Sequence, residues 1–220
     1  MRKLRRLLLN DAVSGGVVES ATAVPRASLR WRIDWLIAII LALLAGVMSY
    51  RNGVDFNPDI YHWAACDVYF DADTPRTLLD MTGRMHDHYR TRVHPLFPLL
   101  TIPPEKVLEK GLGISDIAAA RAVIACTAAL WAAGLFALLR LMGLRRLDAI
   151  IFACMGMASA ASIMWFVLPD TYPLGSLSIL AAMLVVALTR WRPVKPVVAI
   201  AVSAFTLAIT ITNYMAGLAM

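Results

Sequence analysis

The eighteen residues from Ile33 to Tyr50, "IDWLIAIILALLAGVMSY", contain one charged side chain, Asp34. A helix that crosses the hydrocarbon core of a bilayer needs about 20 mainly apolar residues. In lipid every backbone polar group must be satisfied internally, so such a run leaves the chain little choice but a helix. Four further stretches have the same character, at 117–141, 149–168, 172–188 and 197–217. Hydrophobic residues make up 60% of the chain and charged residues 16%, against about 45–50% and about 25% in soluble domains. The expectation is an all-α, polytopic transmembrane helix bundle of about five spans in a lipid bilayer, with a helical external loop between the first two.

The net charge of +6 does not point to nucleic acid, because the basic residues are not spread over one surface. They gather in "MRKLRR" and "RASLRWR" before the first run, "RLMGLRRLD" after the second, and "RWRPVK" after the fourth. Excess Lys and Arg marks the cytoplasmic side of a membrane. All three clusters fall on one side if the N-terminus is cytoplasmic and the runs alternate in direction. Residues 1–32 then read as a basic cytoplasmic tail. The triplet "LLL" near the start is too short to be the apolar core of a secretion signal. The segment 51–116 and the short "LPDTYP" lie outside. Cys126 and Cys154 fall within apolar runs and only Cys66 lies outside them, so no disulfide framework is implied.

The outer segment divides by composition. Residues 51–93 are polar, with seven aspartates and five arginines. Residues 94–112 begin "HPLFPLLTIPP", an apolar run too short to span and interrupted by Pro95, Pro98, Pro103 and Pro104, so a helix lying along the membrane interface is expected. Small residues recur in the second and third runs, as in "ACMGMASAAS", and let helix backbones approach closely. Trp31, Trp35, Trp165 and Trp191 sit where interfacial anchors are favoured. The chain stops at "ITNYMAGLAM", inside or just beyond the fifth run, an ending that fits a piece of a longer protein.

Candidate chemistry concentrates on the outer side. "GVDFNPDIYHWAACDVYFDAD" carries Asp55, Asp59, Asp67, Asp71 and Asp73 directly after the first run. An aspartate at the interface is partly dehydrated, which raises its pKa toward the range of a general base. Asp55 is nearest the span, and Asp59 follows one helical turn later. "HDHYRTRVHP" brings His86, His88, Arg90, Arg92 and His94 to the same side, where forked guanidinium groups suit a phosphate. In "FVLPDTYPLGSL", Asp170 is placed to cap the fourth helix, with Pro173 in its first turn. Arg121, just inside the second run, needs a polar cavity or a route to the interface, and Asp116 stands near enough to pair with it or to cap the helix.

The order of these features resembles the N-terminal half of the GT-C class of membrane glycosyltransferases, which includes protein mannosyltransferases and aminoarabinose transferases. The resemblance runs over about residues 30–217. It rests on a span, an outer loop opening with an acid, "HPLFPLL", "AAARAV…LLRLMGLRR", and a span ending in "PDTYPLGSL". It implies sugar transfer from a polyprenyl-phosphate donor on the external face of a bacterial inner membrane, with a divalent metal as a candidate cofactor. Carried over, Asp55, with Asp59 in reserve, is the carboxylate that acts as catalytic base or holds a metal, and His94, Arg121 and Asp170 match substrate-contacting positions, beside Arg90 and Arg92 as the expected phosphate contacts. A single base without an opposing acid implies inversion at the sugar carbon. The acids of this chain are separated, in "VDFNPD", where many members of the class have adjacent ones. A transporter subunit or a non-catalytic scaffold is the competing expectation.

Overall fold

The computed structural model describes residues 31–62, 72–83 and 94–219. Among these residues there are nine α-helices, two short 3-10 helices and no strand. Three helices are long and apolar enough to cross a membrane: α1 (Trp31–Asp55), α4 (Asp116–Leu141) and α7 (Tyr172–Thr189). Their 25, 26 and 18 residues correspond to about 37, 39 and 27 Å at 1.5 Å per residue. The chain is thus all-α, with the apolar runs at 33, 117 and 172 each forming one continuous helix.

The other two apolar runs are interrupted. The run expected at 149–168 forms α5 (Arg146–Met157) and α6 (Ala160–Trp165). The chain leaves helical geometry at Ser159, whose Oγ accepts the Ser162 N–H at 3.2 Å. A serine offers the backbone this local alternative to a continuing helix. The run expected at 197–217 forms α8 (Pro196–Ile209), an extended Thr210, a 3-10 turn at Ile211–Asn213, and α9 (Tyr214–Leu218). The 14 residues of α8 reach about 21 Å. Afterwards the chain doubles back. Gly217 lies so close to α8 that a Cβ would stand 3.0 Å from the Ser203 Cα, and Ser203 Oγ donates to the Gly217 carbonyl at 2.6 Å.

Between α1 and α4 come a 3-10 turn (Pro58–Tyr61), α2 (Thr74–Thr82) and α3 (Phe97–Leu112). The helix expected near 94–112 is therefore present, and it runs through Pro103 and Pro104 without ending. Its buried face is Phe97, Pro98, Thr101 and Glu105. The two prolines are on the exposed side, so their lost donors and bulky rings do not disturb the packed face. Gly113 ends the helix at φ 65°, a left-handed geometry that glycine adopts without steric cost.

Close backbone approach holds the long helices together. At Gly134 an added Cβ would lie 2.9 Å from Leu180 Cδ2 of α7. At Gly46 of α1 it would lie 3.3 Å from the Ala125 carbonyl oxygen of α4. Ala38 and Leu41 of α1 pack with Phe136, Ala149 and Ala153. The start of α1 is tied to the far end of α4 by ions. Asp34 is buried and accepts from Arg146 Nε at 2.6 Å and from Arg140 at 3.3 Å. At the opposite end, Gly53 of α1 meets Arg121 and the Val167 carbonyl, so α1 and α4 are antiparallel. The other side of α1 exposes Leu36, Ile40, Leu43 and Val47, as a lipid-facing surface requires.

One buried charge is poorly compensated. Glu105 is fully buried, and neither carboxylate oxygen is hydrogen-bonded. Lys106 Nζ stands 3.4 Å from Oε2 but is closer to Glu109, at 2.5 Å. Burial pushes the Glu105 carboxyl above the usual carboxylate range, against the opposing pull of Lys106. A raised folded pKa means stability is lost as pH climbs from that usual range through the raised value. Glu105→Leu should therefore stabilise the fold at neutral pH by about 1–3 kcal/mol. In thermal unfolding its advantage over the wild type should grow from pH 4 upward. A variant less stable at every pH would contradict this account.

Candidate functional site

A cavity of about 870 Å³ opens between the N-terminal ends of α2, α3 and α7, the segment around α6, and the turn at Thr210–Asn213. Its size falls within the roughly 300–1,000 Å³ of ligand sites. Its polar lining includes Asp73, His94, Asp170, Thr210 and Asn213, which lie at or near the ends of their helices. Its apolar lining includes Trp131, Leu135, Phe166 and Ile179. Trp131 is fifteen residues into α4, about 22 Å along its axis. The cavity thus runs from one end of the long helices to their middle, changing from polar to apolar on the way.

Each of these polar groups is positioned by a local feature. Asp73 immediately precedes α2 and is buried. Pro75 lies in the first turn of that helix, where a missing N–H costs nothing. Arg76 Nη1, one turn on, stands 3.0 Å from Asp73 Oδ2. His94 is fixed through Nδ1, which lies 2.7 Å from both the Ile209 carbonyl and the Thr210 hydroxyl. A carbonyl oxygen only accepts, so Nδ1 carries the hydrogen, and Nε2 of the neutral ring is left as an acceptor. The break in α8 at Thr210 frees these carbonyls, and the Leu96 N–H takes that of Ala208 at 3.0 Å. Asn213 Nδ2 ties the turn to α7 through the Gly175 carbonyl at 2.9 Å and Ser178 Oγ at 3.1 Å.

Asp170 is also buried. It precedes α7 by two residues, since the helix starts at Tyr172 with Thr171 as N-cap. The capping role expected of Asp170 is shifted by one position but preserved in kind. Its Oδ1 accepts the N–H of Thr171 at 2.5 Å and of Tyr172 at 3.4 Å. Burial raises its carboxyl pKa above the usual range, the hydrogen bonds from Thr171 and Tyr172 oppose that, and the Asp73 charge adds to the rise. Aromatic rings complete the walls: Trp165 lies 4.3 Å from Tyr172 and Trp131 lies 5.1 Å from Phe166, centroid to centroid.

Two of the residues singled out in the sequence, His94 and Asp170, therefore meet at this cavity. Asp55 and Asp59 do not. Both are exposed, and neither lines it. Asp55 is the last residue of α1 and Asp59 lies in the 3-10 turn, so nearness to the span leaves them facing outward. Arg121 also stands apart. Its Nε donates to the Tyr61 hydroxyl at 3.0 Å, with the guanidinium 5.2 Å from that ring's centroid. Asp116 instead accepts the neighbouring Ile117 N–H at 2.8 Å. Arg90, Arg92, His86, His88, Asp67, Asp71 and Cys66 lie outside the described residues.

Asp73 and Asn213 were not singled out as site residues. For Asp73 a signal exists, since "DTP" reads as a helix start and such a start holds the preceding side chain in place. For Asn213, a polar residue within an apolar run was the only mark. Trp165, expected as an interfacial anchor, forms part of the cavity wall. Trp191 does sit at a helix end, donating to the Leu141 carbonyl at 2.8 Å. Among the described residues no group of three or more His, Cys, Asp or Glu converges as metal ligands do, so these residues do not by themselves form a metal site. Comparison with protein-family models, curated proteins and solved structures gives no match to this chain.

Proposed function

We propose that this protein transfers a sugar from a polyprenyl-phosphate donor at the external face of the membrane, with the cavity as the donor site. The observation that supports the reading is a cavity lined by polar residues near the helix ends and by apolar residues further along the helices. A lipid-linked donor has the same division, with a phosphate and sugar at one end and hydrocarbon at the other. A phosphate leaving group needs little acid assistance, whereas the acceptor hydroxyl needs a base. We assign that role to Asp73 rather than to Asp55 or Asp59, because Asp73 lines the cavity. His94 offers a second polar contact through Nε2. Arg90 and Arg92 remain the sequence's candidates for neutralising phosphate. The basic residues at the C-terminal ends of α4 and α7 support a cytoplasmic position for that end of the bundle, away from the polar lining of the cavity.

Broken helices lining a cavity also suit a transporter, and the interruptions at Ser159 and Thr210 border this one. The two readings part in one assay. The full chain in lipid vesicles is supplied with radiolabelled polyprenyl-phosphate sugars on the outside, without a gradient. Release of free polyprenyl phosphate with transfer of label to an acceptor supports the enzyme. Movement of label across the vesicle wall without bond cleavage supports the transporter and overturns the transferase.

A further inference from the structure

The two aspartates of the cavity have unlike surroundings. Asp73 has the Arg76 guanidinium 3.0 Å from its Oδ2. Asp170, 4% exposed, receives three hydrogen bonds, from the Thr171 N–H, the Tyr172 N–H and the Thr171 hydroxyl. All three donors are neutral, and all three reach Oδ1. Among the described residues Oδ2 has no hydrogen-bond partner, although Asp170 lines the cavity. The charged group that acts on Asp170 is Asp73, a charge of the same sign. The other titratable groups on the cavity wall are His94, from the turn before α3, and Tyr172 of α7. No lysine or arginine among the described residues lines the cavity.

We propose that Asp170 acts in this cavity as a neutral hydrogen-bond donor, presenting a proton on Oδ2 to an anionic oxygen of a phosphodiester headgroup. Oδ1 is already occupied by donors, so Oδ2 is the oxygen left to carry the proton. Two carboxylates and a phosphate in one cavity would repel one another. A protonated Asp170 removes one of the three charges and adds a donor aimed at another. Burial, the largest influence, and the neighbouring Asp73 favour the protonated form and outweigh the hydrogen bonds from Thr171 and Tyr172. The two carboxyls then have different roles: Asp73 accepts a proton from the acceptor hydroxyl, and Asp170 donates a hydrogen bond to the donor phosphate. The assignment rests on the lipid-linked donor reading and supplies the group that recognises its phosphate.

The test is equilibrium binding to the full chain in nanodiscs from pH 5 to 9. The probe is a polyprenyl methyl phosphodiester, whose single charge is constant over that range. Wild-type affinity should fall as pH rises, by up to tenfold per unit above the pKa of Asp170. Asp170→Asn keeps a donor that cannot ionise, so it should bind at high pH as the wild type binds at low pH. Asp170→Ala should bind about 10- to 100-fold more weakly at low pH, the range for a hydrogen bond to a charged group. Circular dichroism melts of both variants show that they are folded. If Asp170→Asn binds as poorly as Asp170→Ala, or keeps the full pH dependence, the neutral-donor role is wrong while the donor reading stands. If the wild type binds no probe at any pH, the donor reading fails and takes the proposal with it. Dimethyl phosphate and phosphatidylglycerol serve as comparison ligands: equal affinity for the first would overturn the lipid-linked identity of the phosphate, and equal affinity for the second its polyprenyl identity.

Discussion

Asp73→Asn should lower the turnover of sugar transfer by about 10²–10⁴-fold, the usual contribution of a general base, and leave donor binding nearly intact. The amide keeps the shape of the side chain but has no basic oxygen to take the acceptor proton. Asp73 is buried beside Arg76, so the variant's melting temperature must be measured alongside. Loss of turnover with an unchanged melt and unchanged probe binding assigns the effect to chemistry. The companion variants Asp55→Asn and Asp59→Asn should stay within a few-fold of the wild type, because both side chains are exposed away from the cavity. Full activity in Asp73→Asn, or a large loss in Asp55→Asn, would return the base to the stretch immediately after the first span.

A second large effect is expected far from the cavity. Asp34 bridges Arg146 and Arg140, whose side chains are 32% and 11% exposed. Asp34→Ala leaves the more buried Arg140 without its counter-charge, while Arg146 can turn to solvent. Removing one partner of a buried ion pair is strongly destabilising, so a loss of about 3 kcal/mol is expected. The cost belongs to the uncompensated charge. Replacing all three residues by leucine and methionine (Asp34→Leu, Arg140→Met, Arg146→Met) should therefore recover most of it. Denaturant unfolding in mixed micelles measures both. If the triple variant is as unstable as Asp34→Ala, the ions are not the cause, and loss of helix packing is.

The long helices were legible because length and apolar composition leave few alternatives in a bilayer. Ile33–Tyr50 has almost no polar side chain to satisfy elsewhere. The breaks at Ser159 and Thr210 were not legible, since neither run contains proline at its break and the composition stays apolar across it. What interrupts each run is a hydroxyl residue with somewhere to bond, and in a helix-rich chain most such residues simply bond one turn back, as Thr127 does to the Val123 carbonyl at 3.0 Å. Prolines misled in the other direction: Pro103 and Pro104 signal a stop, yet α3 continues because they face away from its packed side.

The site was half legible for a related reason. His94 and Asp170 could be found from their order among the spans, and each is held by contacts within its own turn or with one neighbouring segment. Choosing among five aspartates in the acidic stretch was harder. Proximity to the first span favoured Asp55, but burial depends on where α2 packs, and that is set by Leu78 and Met81 meeting Phe97, Val123 and Leu174. No local pattern near Asp73 records those distant contacts.

A lipid-linked donor held in the cavity would have its phosphate among Asp73, His94 and Asp170 and its first isoprene units against Trp131, Leu135 and Ile179. A polyprenyl phosphodiester bearing a diazirine in its first isoprene units can test this directly by photo-crosslinking in nanodiscs, with the adducts mapped by mass spectrometry. The account predicts adducts on Trp131, Leu135 or Ile179 that disappear when unlabelled polyprenyl phosphodiester is added in excess. Adducts confined to the lipid-facing side of α1, at Leu43 and Met48, and unchanged by the competitor, would contradict it.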